Sequence, residues 1–313
     1  MACGVCSRSM PSSPVAERWA ARAQVWLGTL VEIALPSAEA TEARFAAAFS
    51  AIAHIHHKMS AHDPKSDLAR IARDAHRRAL VVDPETYAVL ELAQALAGES
   101  CGLFDVSVAP VLARRRLLPA RAAPHATRCG CMAALRLEPG FRVRADAPVA
   151  LDLGGIAKGH AVDRAVAVLR GFGASTGHVN AGGDLRVFGS GAWLPVRVRH
   201  PLHPSVALTL FDVQEAAVAT SADYFRGTAS ALVDPRAHDT RPFGGSATVI
   251  APTCILADAL TKVVALEPAQ AAAILARHGA HAFHLEAGDD GLRGSTTCTG
   301  STAHLRLPPA LAA

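Results

Sequence analysis

The sequence predicts an α+β fold, mainly antiparallel sheets packed against helices. Three observations lead there. Short period-two segments crowd the second half at spacings that suit antiparallel neighbours, capped helical segments flank them, and there is no regular βαβ alternation. With 313 residues, half of them apolar, the chain can bury a substantial core, either as one large domain or as two tightly joined lobes.

In chain order, residues 1–22 hold no apolar h-region and read as a disordered tail rather than a signal peptide, leaving 23–313 as the folded unit. "VWLGTLVEIALP" places Val31, Ile33 and Leu35 on one side of a first strand. "AEATEARFAAAFSAIAHIHH" is a long alanine-rich helix. A second helix opens at "DPETYAVLELAQALAGES", with Asp83 as N-cap and Pro84 at the first helical position. Residues 119–132, rich in Ala, Arg, Pro and Gly, form a loop between two halves. Val149, Ala150 and Leu151 then end a buried strand, with Asp152 at its exit. Next comes a helix over 156–171, amphipathic through Val162, Val166 and Leu169. Several short strands fill 176–250, and "NAGGD" suits a tight hairpin turn among them. Helices at about 254–266 and 268–278 precede a final strand pair.

Composition narrows the function classes. Net charge is +4, basic residues are scattered apart from Arg114–Arg116, and aromatics make up 5 %, so nothing resembles a nucleic-acid surface. No apolar run approaches the roughly 20 residues a membrane helix needs. Seven cysteines, with close pairs at Cys3/Cys6 and Cys129/Cys131, make neither a disulfide scaffold nor a zinc site. His54, His56 and His57 read as solvated histidines near a helix end rather than as a metal cluster.

"DLGGIAKGHAVD", Asp152 to Asp163, carries the chemistry. Gly154 and Gly155 allow close approach of a ligand, and the helix start with Lys158 suits an anion. On spacing alone the segment fits an ordinary Asp cap with turn glycines and a surface lysine equally well. Asp258, inside the apolar "ILADALTKVVAL", would be costly to bury unless paired or metal-bound.

The 152–163 segment resembles the central signature of the ApbE family, the FAD:protein FMN transferases, in the form DLG-x-IAKG-[YH]-A-x-D. Further segments resemble the family in order: "MSAHDPKSDLARI" (59–71), "GLFDVSVAPVL" (102–112), "VNAGGDLRVFG" (179–189), "ATSADYF", "LVDPR" and "TVIAPTCILADAL". The resemblance spans roughly residues 24–290 and implies a two-lobed, T-fold-related single unit. It implies Mg²⁺-dependent transfer of the FMN half of FAD to a Thr or Ser hydroxyl of an acceptor flavoprotein, with AMP released. Some members instead hydrolyse FAD to FMN and AMP, and a homologue that only holds flavin is a third possibility. The resemblance places Met59, Leu103, Phe104, Asp105, Asp152 and Lys158 at the flavin nucleotide. It places the Gly155 carbonyl and Asp258 at the metal, with Thr261 beside them, and makes Asp258 and Lys158 the catalytic candidates. Read without it, Met59 and Phe104 fit core packing and Asp105 a turn cap.

Three positions depart from the pattern. Relatives carry threonine four residues after the metal aspartate, where this chain has Lys262. Thr261 lies one residue early and about 100° around the helix. Lys262 is expected to pair with Asp258, one turn away. Ala231 stands where many members have histidine before the "DP" motif, and Ala222 replaces the glycine of SGDY. The chain as it stands is expected in the cytoplasm, or in the periplasm if a leader lies upstream.

Overall fold

The structure is a computed structural model and describes residues 18–190, 193–200, 203, 205–222, 231–288, 291–299 and 302–306. Two strands, β1 (Trp19–Trp26) and β2 (Thr29–Pro36), precede α1 (Glu42–Met59) and α2 (Asp67–Asp74). Then come β3 (Leu80–Val81), α3 (Pro84–Glu99), α4 (Ala109–Arg114), β4 (Leu135–Glu138), β5 (Arg142–Ala145) and α5 (Ala157–Gly171). A run of strands follows: β6 (Gly177–Ala181), β7 (Asp184–Phe188), β8 (Leu194–Arg199), β9 (Ala207–Val213), β10 (Ala217–Ala222), β11 (Val233–Asp234), β12 (Asp239–Thr240) and β13 (Gly245–Ala251). The helices α6 (Cys254–Leu266) and α7 (Pro268–Arg277) lead to β14 (His281–Gly288), β15 (Gly291–Thr297) and β16 (Leu305–Arg306).

Eight strands form one antiparallel sheet in the order β1-β2-β6-β7-β10-β13-β14-β15. Its strands alternate as a two-sided sheet must. In β13, Ala247, Val249 and Ala251 face the main core while Ile250 faces a second, smaller core, and in β10 Ala217 and Ala219 oppose Val218 in the same way. Helices α1, α5 and α6 pack on the first face. The small sheet β8-β9-β16 covers the other, where Phe211 stacks on Phe283 with ring centroids 4.8 Å apart. The mixed α+β architecture with antiparallel sheets matches the expectation.

Local signals hold where they were strongest. Val31, Ile33 and Leu35 are fully buried, and so are Val162, Val166 and Leu169 along α5. Asp83 caps α3, its Oδ1 accepting from the Glu85 N–H at 3.0 Å. Gly182 and Gly183 form the two-residue turn between β6 and β7, with Asn180 Oδ1 accepting from the Gly183 N–H.

Three expectations need correction. The stretch read as one strand from Val25 is a hairpin, because Leu27 and Gly28 both adopt left-handed backbone (φ 56° and 75°) and reverse the chain between β1 and β2. The tail expected through residue 22 ends earlier, since Trp19–Arg22 already pair with β2. Residues 1–17 lie outside the described residues, Cys3 and Cys6 among them. Val149–Leu151 are buried but belong to no strand. The Asp152 N–H that follows them donates to the Val106 carbonyl instead of to a ladder. Among the described residues no helix is long and apolar enough to cross a membrane.

Candidate active site

Helices α5 and α6 build the site by coming unusually close. A Cβ on Gly159 would lie 2.2 Å from the Cys254 carbonyl oxygen and 2.8 Å from Ile255 Cα, so only glycine fits this crossing. Asp163, one turn further along α5, caps α6 from outside. Its two carboxylate oxygens accept from the Cys254 and Ile255 N–H groups at 3.0 and 2.9 Å, while Arg186 pairs with it at 2.6 Å. This fixes Asp258, on the second turn of α6, against the start of α5.

Asp258 is fully buried and fully engaged. Its Oδ2 accepts from the Gly159 N–H and from Lys158 Nζ, both at 3.2 Å. Its Oδ1 accepts from Lys262 Nζ at 2.5 Å and from Lys158 at 3.3 Å. Lys262 also reaches the Asp258 main-chain oxygen at 2.9 Å. Lys158 pairs with Asp184, the first residue of β7. Two carboxylates and two ammonium groups thus form one cluster.

The environment sets their charge states. Burial works against the Lys158 ammonium, yet Asp184 and Asp258 together push its pKa well up, so it stays charged. Burial raises Asp258, but Lys158 and Lys262 outweigh it and hold its carboxyl below the usual range. Asp184 is pushed up to about 6 by burial and by the Asp258 charge. Asp152 is likewise raised, chiefly by burial.

Lys158 and Lys262 of this cluster line a cavity of about 500 Å³. Asp152, Gly154 and Gly155 line it with them, as do the apolar Leu103, Phe104, Leu117 and Leu118. The sequence candidates Leu103, Phe104, Asp105, Asp152, Gly155 and Lys158 all border this one space, and the buried Asp258 is bonded to Lys158. Asp105 is already committed: Oδ1 accepts from the Ser107 N–H and hydroxyl at 2.7 and 2.6 Å, and Oδ2 from the Met132 N–H at 3.1 Å. It ties the 105–107 turn to residue 132, as a turn cap does.

Two candidates fall elsewhere. Met59 ends α1 on its buried face and belongs to the main core, away from the cavity lining. Thr261, expected beside the metal, is turned to other partners: its hydroxyl donates to the Asp258 carbonyl at 2.6 Å and meets Ser221 Oγ at 2.7 Å. One member of the charge cluster was not among the sequence candidates. Asp184 read as part of a tight turn, although a carboxylate opening an apolar strand carries the same burial warning that singled out Asp258.

The donor set around Asp258 does not suit a divalent cation. Mg²⁺ needs oxygens at about 2.0–2.1 Å in octahedral array. Both Asp258 oxygens and its carbonyl are occupied by hydrogen-bond donors, and the Lys262 chain lies across Gly155, the other expected metal neighbour. Among the described residues no group of three or more His, Cys, Asp or Glu could hold a metal. As arranged, these residues do not fit one. His54 instead pairs with Asp83 at 2.9 Å, and His56 and His57 pack edge-on around Trp26.

Comparison with known proteins gives one family match. The model described as "ApbE family" matches residues 27–284. No curated protein matches significantly. Among solved structures, the chain is similar to the flavin transferase ApbE from Vibrio cholerae, with a TM-score of 0.77, 21 % identity, and 90 % of this chain and 97 % of that one covered. It is similar to the Pseudomonas stutzeri flavinyl transferase ApbE, apo form, with a TM-score of 0.76, 20 % identity and 92 % and 100 % covered. An ApbE protein from Thermotoga maritima gives a TM-score of 0.74 at 25 % identity, with 90 % and 97 % covered.

Proposed function

The chain belongs to the ApbE family, and from that membership we propose that it is a flavin transferase acting on FAD in the cavity beside α5. The finer reading is transfer of the FMN half to a Thr or Ser hydroxyl of an acceptor flavoprotein, with release of AMP. The observation that carries it is one cavity lined both by apolar side chains, among them Leu103, Phe104, Leu117 and Leu118, and by the ammonium groups of Lys158 and Lys262. A flavin dinucleotide needs both kinds of lining, apolar surface for its flat rings and positive charge for its pyrophosphate.

The chemistry asked of the protein is modest. Phosphoryl transfer proceeds mainly by positioning and charge neutralisation. The acceptor oxygen bonds to the flavin-side phosphorus, the bridging P–O bond breaks, and AMP leaves with the bridging oxygen while the hydroxyl proton passes to solvent. Lys158 faces the pyrophosphate with its charge secured by Asp184 and Asp258, and the first turn of α5 adds its positive dipole end. Asp152, its pKa raised by burial, borders the nucleotide and suits a hydroxyl or ring N–H. The oxygens of Asp258 and the space beside Gly155, both taken up by hydrogen-bond donors or the Lys262 chain, do not fit the Mg²⁺ that the resemblance implies.

A hydrolytic reading has one observation in its favour. Ala231, where the resemblance associates a histidine, borders the cavity and brings no polar group to meet an acceptor. Water would then replace the hydroxyl and give FMN and AMP. Incubation with FAD, with and without a candidate acceptor, separates the readings: covalent flavin on the acceptor supports transfer, free FMN in both samples supports hydrolysis. Unchanged FAD throughout would refute both.

A further inference from the structure

Lys262 is seated, not draped. Its Nζ is held by two oxygens of one residue, Asp258 Oδ1 at 2.5 Å and the Asp258 carbonyl at 2.9 Å. Its stem runs in contact over Gly155, where an added Cβ would stand 2.9 Å from Cε and 3.5 Å from Cδ. Only 23 % of the side chain is exposed, on the cavity side. A cation on Asp258 beside Gly155 would have to enter the volume this ammonium fills.

We propose that Lys262 acts as a built-in cation for the pyrophosphate, so that this chain holds a dinucleotide without a divalent metal. The inference rests on the flavin-dinucleotide reading above. An ammonium carries three N–H donors. Lys262 spends two on Asp258 and keeps one for a phosphate oxygen beside the start of α5, whereas Lys158 already meets three carboxylate oxygens of Asp184 and Asp258 and adds its charge. Two carboxylates pair with the two ammonium groups, so their charges offset one another without a metal. A divalent ion would meet both ammonium groups at contact range and find no unoccupied oxygen on Asp258.

Binding of FAD, followed by calorimetry with EDTA or with Mg²⁺ present, tests this without relying on turnover. The unsubstituted chain is expected to bind FAD equally in both. Lys262→Thr removes the charge and supplies a neutral oxygen, so in EDTA its affinity should fall about tenfold or more and return with Mg²⁺. Lys262→Met, which keeps the packing over Gly155 but offers no oxygen, should bind weakly in both. In each variant Asp258 retains Lys158 as partner, and the unsubstituted arm needs no variant. Metal-dependent FAD binding by the unsubstituted chain overturns this inference alone, as does full affinity of Lys262→Thr in EDTA. Absence of FAD binding under either condition overturns the flavin reading and this inference with it.

Discussion

Gly159→Ala is a one-methyl perturbation at the contact that brings α5 to α6. The added carbon would sit 2.2 Å from the Cys254 oxygen, 2.5 Å from the Cys254 carbonyl carbon and 2.8 Å from Ile255 Cα. All three are backbone atoms, so the clash can be relieved only by moving one helix off the other. Overpacking of this kind costs about 1–3 kcal/mol, and more where backbone must shift. The Gly159 N–H bond to Asp258, a charge-assisted one, is lost or stretched at the same time, for about 1.5–3 kcal/mol. Against this, alanine gains about 1 kcal/mol of helix propensity over glycine. The net expectation is a destabilisation of about 3 kcal/mol or more, or roughly 5 °C in Tm for a chain of this size. Gly171→Ala, at the other end of the same helix with nothing within 4 Å, should instead stabilise by a few tenths to about 1 kcal/mol. Urea unfolding of the two variants measures both effects. A Gly159→Ala protein as stable as the Gly171→Ala protein would refute the close-crossing argument.

Two further outcomes follow from particular contacts. Asp105→Ala removes three hydrogen bonds to a carboxylate and should lower unfolding free energy by about 2–3 kcal/mol, read by urea titration; unchanged stability with weakened FAD binding would make Asp105 a ligand contact instead. Burial pushes the Cys129 thiol up to about 11, and that of the buried Cys254 up as well, whereas Cys101 and Cys298 are exposed. Since only the thiolate reacts, iodoacetamide at pH 8 should label Cys101 and Cys298 and spare Cys129 and Cys254 in the folded protein, with labelling of Cys129 appearing only as the pH rises towards 11. Peptide mass spectrometry after a short pulse decides it, and rapid labelling of Cys129 at pH 8 would contradict its assigned environment.

The sequence by itself determined whatever depends on neighbours along the chain. Period-two burial fixed Val31, Ile33 and Leu35 as one inward row, the Asp83-Pro84 pair started α3, and Gly182-Gly183 turned β6 into β7, because caps, pleats and tight turns are local in cause. It also marked Asp258 as a residue that needed a partner, since an apolar helix gives a carboxylate nowhere to solvate. The i, i+4 spacing correctly paired that residue with Lys262. Local pattern missed the left-handed pair Leu27-Gly28 inside an otherwise continuous apolar alternation, and took the buried Val149–Leu151 for a strand although the segment belongs to no ladder. Only the tertiary structure decided the charge cluster. Lys158, Asp184 and Asp258 are separated by up to 100 residues, and their meeting depends on a glycine that lets two helices touch and on an aspartate, Asp163, that caps a helix other than its own. Spacing within a helix or strand carries no information on which distant segment lies opposite. That choice is made by packing, where the buried carboxylates and the ammonium groups that satisfy them had to arrive at the same place.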